Sequence, residues 1–508
     1  MNTTLFILMM TIIVYLMAMV AIGFLFSKNN STNEDFYLGG RKMGPFVTAM
    51  SAEASDMSSW LLMGLPGLAM LAGIAEPVWT AIGLAVGTWV NWFFVSKRIR
   101  RYTAQIGAIT IPQFFSKRYH DEKNILSLIS ATVIVIFFIP YTASGFAACG
   151  KLFASLFDAD YMVAMIASAL VIVLYTITGG FRAVSTTDLI QSIVMTIALI
   201  SVVVFGVNAA GGWDAVAGNA SEAVEYLSLT KTFNTATGTV GSYGFLTIVS
   251  TLSWGFGYFG MPHILLRFMA IEDEEKLTLS RRIASVWVVI AMAIAILIGV
   301  IGYGITKTGA IAQPQTSGES ETIIVQIASM ISQHGILAAM LAGLILAGIL
   351  AATMSTADSQ MLAAASSISQ DVFQDVFGIK LTDKQALGIA RLAVVVISVV
   401  AVLLAQNPDS SVFRIVSFAW AGFGGAFGGV VLAALFWKRS NMWGALAGMI
   451  GGALTVFVWK FLVRPLGGAF DIYELLPAII VSVVCIVVVS LLTKAPEQGI
   501  IEEFEASK

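Results

Sequence analysis

The chain has 508 residues, 58% of them hydrophobic and only 11% charged, where a soluble protein carries about 25% charged residues. Mean hydropathy is +0.87, and apolar runs of about 20 residues, enough to cross a hydrocarbon core about 30 Å thick, recur throughout; a string of soluble domains is excluded. A net charge of -2 leaves no basic excess for nucleic acid, and two cysteines, Cys149 and Cys485, build no disulfide framework. His120, His263 and His334 are too far apart in sequence to form a ligand-spaced zinc pair.

In chain order, the first apolar run, 4–26, has no basic residue before it; the first positive charge is Lys28. It reads as a spanning helix with its N-terminus outside rather than a signal peptide. Further runs at 45–73, 76–96, 124–153, 161–178, 188–210, 242–267, 282–305, 335–372, 387–406, 411–437, 442–463 and 471–493 bring the expected count to about thirteen helices. With that count most Lys and Arg fall on one side, among them Lys97, Arg98, Arg100, Arg101, Lys117, Arg118, Arg281, Arg282, Lys438 and Arg439. By the positive-inside rule that side is the cytoplasm, which also receives the C-terminal tail. The opposite segments, 208–241 and 306–334, carry only Lys231 and Lys307 and read as solvated external loops.

Two helices are expected to be interrupted. Residues 51–67 place Glu53 and Asp56 among small and hydroxylated residues inside a membrane-length segment. An aspartate at mid-membrane costs about 2.5–3.5 kcal/mol on insertion scales, so it needs a partner or a polar cavity; a position near a helix end is the plainer explanation. Residues 253–263 set Gly255, Gly257 and Gly260 before Pro262. Such a run favours an unwound helix, tolerated only where freed carbonyls face protein or a water-filled cavity, although close packing through glycine also accounts for part of it. Trp254 and Tyr258, one helical turn apart, could close a small polar pocket. Each interrupted segment opens a set of five helices, 45–210 and 242–437. That order points to an inverted-repeat transporter with its site at the midplane. The remaining divisions are 1–44, an extra N-terminal helix and cytoplasmic loop; 211–241, an external loop; and 438–508, two C-terminal helices and a tail.

In the run 349–360, Ala352, Ser355, Thr356 and Ser359 recur at i, i+3, i+4 and i+7 and so share a helix face. Three hydroxyls on a small-residue face could join the carbonyls of an unwound neighbour as oxygen ligands for a hard cation. A packing seam with hydroxyls bonded to their own helix carbonyls is the alternative. Asp188 could cap the helix that follows the loop from Gly179, or, with Asp358 and Ser359, line an exit path or a second cation site.

Several stretches together resemble the sodium/solute symporter family, and within it the members that carry proline: Leu38-Gly-Gly-Arg41; Ser55-Asp-Met-Ser58 with Trp60; Gly179-Gly-Phe181 with Asp188; the run from Trp254 to His263 with Arg267; and Met354-Ser-Thr356. The resemblance covers about residues 4–495. It implies an all-α polytopic membrane protein of leucine-transporter type, with ten core helices in two inverted five-helix repeats and alternating access, in a bacterial cytoplasmic membrane. It further implies a sodium site of Ala54, Met57, Ala352, Ser355 and Thr356, ion coupling through Asp56, and a proline pocket of Ser55, Ser58, Tyr141, Thr142, Trp254, Tyr258 and Pro262. Arg41, Asp188, Asp358 and Ser359 match a possible second ion site or cytoplasmic exit path. Sodium is then the coupling ion, proline the substrate and lipid the surroundings; no other cofactor and no obligatory protein partner is implied.

The sequence departs from the proline-carrying pattern at Ser59, Thr142, Met261 and above all Glu53, where that pattern has a small uncharged residue. A carboxylate there could repel Asp56, bind a proton or pair with a base. The open alternatives are another small solute, such as a different amino acid, a carboxylate or pantothenate, and proton-coupled uptake. A channel or a membrane sensor fits less well, since there is no filter-like repeat and no appended soluble domain. No nucleotide loop, metal cluster or nucleophile–base pair suggests an enzyme.

Overall fold

The structure, a computed structural model, describes residues 3–27, 33–178 and 180–508. Lys28 and Gly179, which entered the charge and loop readings, lie outside the described residues. Among the described residues ten helices are long and apolar enough to cross a membrane: Thr3–Ile22, Ala75–Gln105, Ile125–Phe157, Phe181–Ala209, Glu274–Thr308, Ile336–Val376, Lys384–Leu404, Val412–Phe436, Met442–Leu466 and Leu475–Leu492. The chain is a multi-pass helical membrane protein. Of the thirteen expected spans, the three missing from this set are 161–178, present as the shorter Tyr161–Ile177, and the two that are interrupted.

The first interrupted helix runs Pro45–Asp56, stops, and resumes at Trp60–Gly64 and Leu65–Ala72. Proline at its first turn is compatible with a helix start, because that position has no intrahelical N–H bond to lose. The helix ends because Met57 leaves helical geometry (φ -76°, ψ 68°). The second runs Phe245–Leu252 and Trp254–Gly257, turns through 258–261, and resumes at Pro262–Ala270. Its break follows from Pro262: the ring disfavours helical geometry in the preceding residue, and Met261 is extended (φ -77°, ψ 107°). The glycines have another use. A Cβ on Gly255 would stand 2.4 Å from Gly83 O, one on Gly257 1.9 Å from Trp420 Nε1, and one on Gly260 2.2 Å from Phe423 O. Close packing thus accounts for all three, and the unwinding belongs to the proline and the turn before it.

Between the broken helices lies Ile336–Ser366, buried almost without interruption from Ala342 to Ser366. A helix enclosed on all sides has no polar face to give to solvent, so the hydroxyls of Ser355, Thr356 and Ser359 must find partners inside the protein. The N-terminal helix Thr3–Ser27 packs on its outer side, Thr11 against Gly343.

The segments read as solvated loops are more structured than expected. Within 208–241, a helix Trp213–Glu222 precedes an antiparallel hairpin, Lys231–Asn234 with Thr239–Ser242, in which Lys231 faces Ser242. Lys231 Nζ also donates to the Glu225 carboxylate at 2.6 Å, which holds that carboxyl below its usual range. Within 306–334 the helix Ile323–Ser332 buries Ile323, Ile324, Val325, Ile327, Ala328 and Ile331. Just before it, the Glu321 carboxylate accepts from Lys151 Nζ (2.7 Å), Ser411 Oγ (2.8 Å) and the N–H groups of Val412 and Phe413 (3.0 and 3.2 Å). That carboxylate closes the N-terminus of the helix Val412–Phe423, where free amides favour an anion. At the other end of the molecule, Phe504 of the helix Gln498–Ala506 is buried between Arg98 and Arg118, whose guanidinium carbons lie 4.9 and 5.1 Å from its ring centre.

Candidate ion and substrate site

Where the first helix breaks, its last carbonyls lose their helical partners. Ala54 O accepts from Ser355 Oγ at 2.7 Å and from Thr356 Oγ1 at 3.5 Å. Ser355 Oγ also lies 3.2 Å from Ala352 O in its own helix. Ala54, Ala352, Ser355 and Thr356, expected to hold an ion, therefore meet at the break, and Met57, buried, forms the break itself. These donors are hydroxyl and carbonyl oxygens, the chemistry that suits a hard cation. No group of three or more His, Cys, Asp or Glu that could hold a metal occurs among the described residues.

Asp56 is fully buried, not placed at a solvated helix end. Tyr258 OH donates to its Oδ2 at 2.5 Å, which turns the carboxylate toward the second break rather than onto the Ser355 and Thr356 hydroxyls. Its main-chain oxygen accepts from Trp60 Nε1 (3.0 Å) and Tyr141 OH (3.2 Å). One residue thus joins both interrupted helices to the helix Ile125–Phe157.

Of the residues expected to form a substrate pocket, Tyr141, Tyr258 and Trp254 meet at this junction. Trp254 stacks on Tyr473 (ring centres 5.2 Å apart, planes 21° apart) and lies 6.2 Å from Trp60, 5.9 Å from Trp420 and 5.5 Å from Phe413. Trp420 Nε1 donates to Trp254 O at 2.8 Å, and its ring meets Tyr258 edge-on at 5.0 Å. Ser58 Oγ accepts from Trp60 N at 3.4 Å, while Ser55 Oγ donates to Ala52 O at 2.9 Å. Thr142 is placed beside the ion-site helix, 3.4 Å from Gln360 Oε1, and Pro262 begins the second half-helix. Beyond Trp254 opens a polar cavity of about 220 Å³, lined by Tyr243, Thr251, Arg414, Ser417, Arg464 and Tyr473 among others.

The second acidic cluster is organised around an arginine. Arg267 Nη2 donates to Asp188 Oδ2 (3.1 Å) and to Ser359 Oγ (2.6 Å), and its Nε donates to Ser51 Oγ (3.1 Å), which in turn donates to Asp188 at 2.6 Å. A guanidinium therefore stands where Asp188 and Ser359 converge. Asp358, fully buried in the same helix as Ser359, keeps both carboxylate oxygens without a hydrogen-bond partner. The capping expectation for Asp188 does not hold: the helix Phe181–Ala209 starts after Gly180, and Asp188 sits two turns inside it. Arg41 lies apart from this cluster, its guanidinium donating to Met269 O at 2.9 Å and Ala108 O at 2.7 Å. Burial and the neighbouring Arg100 hold Arg41 below the usual arginine value.

Sequence reasoning missed Trp420, Phe413 and Tyr473 as walls of the pocket, Arg267 as the counter-charge of Asp188, and Asn91, whose Nδ2 donates to Tyr258 O at 3.1 Å. Arg267 and Asn91 each carried a signal, a lone polar group in an apolar run. The three aromatics carried none.

Residues 36–452 match the sodium:solute symporter family. The chain is 40% identical over 498 residues to the sodium/proline symporter of Escherichia coli, covering 98% of this chain and 95% of that protein. It is 41% identical to an osmoregulated proline transporter of Bacillus subtilis, covering 96% and 95%. Among solved structures, a sodium-coupled sialic acid symporter in a substrate-bound, outward-open state superposes with a TM-score of 0.78 over 97% of this chain and 99% of that one, at 18% identity, a likeness of fold.

Proposed function

The chain belongs to the sodium:solute symporter family, and we propose that it imports L-proline together with sodium by alternating access. One observation carries this reading. Ser355 Oγ reaches Ala54 O across the break of the first helix, and two residues further on Asp56 bonds Tyr258 at the break of the second. An ion drawn to the first contact orders the same backbone that holds the second.

The names of the relatives at about 40% identity supply the substrate, and the aromatic enclosure of Trp254 by Tyr473, Trp60 and Trp420 suits a small apolar ring. Proline's carboxylate is directed to the free amides at a half-helix start, where the dipole favours an anion. The arrangement fits ten core helices in two inverted repeats, 45–210 and 242–437, with the N-terminus outside and the C-terminus inside a bacterial cytoplasmic membrane. Arg98, Arg101, Arg118 and Lys438 gather around the tail helix, in keeping with the positive-inside rule. Asp188, Arg267 and Ser359 then form part of the inner gate, the guanidinium occupying the position at which a second ion would neutralise Asp188. Asp358 lies beside it in the same helix as Ser359.

In the cycle, sodium enters from outside to the oxygens of Ala54, Met57, Ala352, Ser355 and Thr356. Proline then binds against Trp254 and Tyr258, the outer cavity closes and the inner side opens. Each positive charge moved inward contributes about 2.3 kcal/mol per 100 mV, roughly a fifty-fold concentration ratio.

Uptake of labelled proline into vesicles with an imposed sodium gradient tests the assignment. The expected result is sodium-dependent accumulation that excess unlabelled proline abolishes. Insensitivity to excess proline would assign another small solute, and uptake that follows a pH gradient without sodium would assign a proton as the driver.

A further inference from the structure

Glu53 has no part in the cycle described above, yet it is buried beside the coupling aspartate. Its Oε1 accepts from Trp92 Nε1 at 3.0 Å. The residue before Trp92, Asn91, donates Nδ2 to Tyr258 O at 3.1 Å, and Tyr258 OH donates to Asp56 Oδ2 at 2.5 Å. Asp56 lies three residues from Glu53 on one helix, so the two share a face. Hydrogen bonds and chain neighbours thus link Glu53, Trp92, Asn91, Tyr258 and Asp56 into one buried cluster.

Three residues of that cluster each keep one acceptor oxygen over. Glu53 Oε2, Asp56 Oδ1 and Asn91 Oδ1 have no hydrogen-bond partner, nor has Thr88 Oγ1, one helical turn before Asn91. All four residues are at most 1% exposed. Arg267, which bonds Ser51 two residues before Glu53, is paired with Asp188 at 3.1 Å. Two buried acids three residues apart on one helix are costly as paired carboxylates unless a cation or a proton joins them.

We propose that Glu53, Asp56 and Asn91, with the Thr88 hydroxyl, bind a second sodium ion, separate from the oxygens of Ser355 and Thr356. This inference rests on the symport reading and deepens it. Two carboxylate oxygens, one amide oxygen and one hydroxyl fall short of the six to eight oxygens that calcium takes, which favours a monovalent ion. An ion held there also steadies Tyr258, which packs on Trp420 behind Trp254, and so couples to the substrate wall.

Equilibrium binding of radioactive sodium to the purified protein in detergent tests the proposal. The native chain is expected to bind two ions, Glu53→Gln one, and Asp358→Asn two. Should Glu53→Gln not fold, Asn91→Leu is expected to bind one ion and Asn91→Asp, which keeps an oxygen, two. One ion in the native chain, unchanged by Glu53→Gln and lost in Ser355→Ala with Thr356→Ala, would overturn the second site and leave symport standing. Two ions of which one is lost in Asp358→Asn and none in Glu53→Gln would overturn it as well. A single native ion, with uptake that follows an imposed pH gradient, would give Glu53 a proton instead and overturn it too. No bound sodium at all would overturn the symport reading itself.

Discussion

In the proposed function Asp56 links ion to substrate through its two ends: its main chain is held by Trp60 and Tyr141, and its side chain by Tyr258. Removing the phenol hydroxyl in Tyr258→Phe takes one donor from a buried carboxylate. Hydrogen bonds to charged groups contribute about 1.5–3 kcal/mol, so the half-saturating proline concentration for uptake should rise roughly ten- to a hundredfold, while Phe keeps the ring against Trp420. An unchanged value would mean that the bond at 2.5 Å does not serve binding. Much at this scale was legible beforehand. Asp56, Ser355, Thr356, Trp254 and Tyr258 stand out in sequence because a polar or kinked feature inside an apolar span has to be explained. What stayed hidden was pairing. Nothing local tells Arg267 that its partner is Asp188, 79 residues away, and Trp420 looks like any membrane tryptophan.

That pairing has its own test. Arg267 is 1% exposed, and its loss leaves the buried Asp188 carboxylate uncompensated. Arg267→Leu should lower thermal stability in detergent by about 3–5 kcal/mol, while Arg267→Leu combined with Asp188→Leu should recover much of it, because replacing both members of a buried pair is often close to neutral. Equal damage from single and double variants would show that the pair is not the reason for the arginine.

Among the elements, the two breaks have different causes; the sequence reading named Pro262, with the glycines, for the second and gave no cause for the first. Met57 simply leaves helical geometry, whereas Pro262 forces Met261 out of it. The glycines, expected to unwind the second helix, instead admit neighbours. A Cβ on Gly87 would lie 2.4 Å from Gly255 Cα, a backbone atom that no rotamer change can move aside. Gly87→Val should therefore separate the helix Ala75–Val90 from the second broken helix and abolish both folding yield and uptake. Gly44→Ala, where nothing lies within 4 Å, should be tolerated. Equal behaviour of the two variants would contradict close packing as the role of Gly87. The segment 306–334, read as a solvated loop, was misread for a related reason: Ile323–Ser332 is too short to register as a span, and its apolar face is buried on neighbours that only the folded chain brings near.

For the whole molecule, the fold places a hydroxyl-bearing helix, enclosed from Ala342 to Ser366, against two interrupted ones, so that the proposed ion oxygens and substrate walls share a single backbone, residues 54–60. Coupling between ligands then needs no long pathway. An ion that fixes Ala54 and Met57 fixes Asp56 between them, and through Tyr258 the second break. Thermodynamic linkage makes this reciprocal: whatever factor sodium confers on proline affinity, proline must confer on sodium affinity. The decisive measurement is that pair of factors on the purified protein, proline affinity with and without sodium and sodium affinity with and without proline, in the native chain and in Ser355→Ala with Thr356→Ala. The structure predicts two equal factors well above one in the native chain and a factor near one in the variant; a proline affinity indifferent to sodium in the native chain would contradict it.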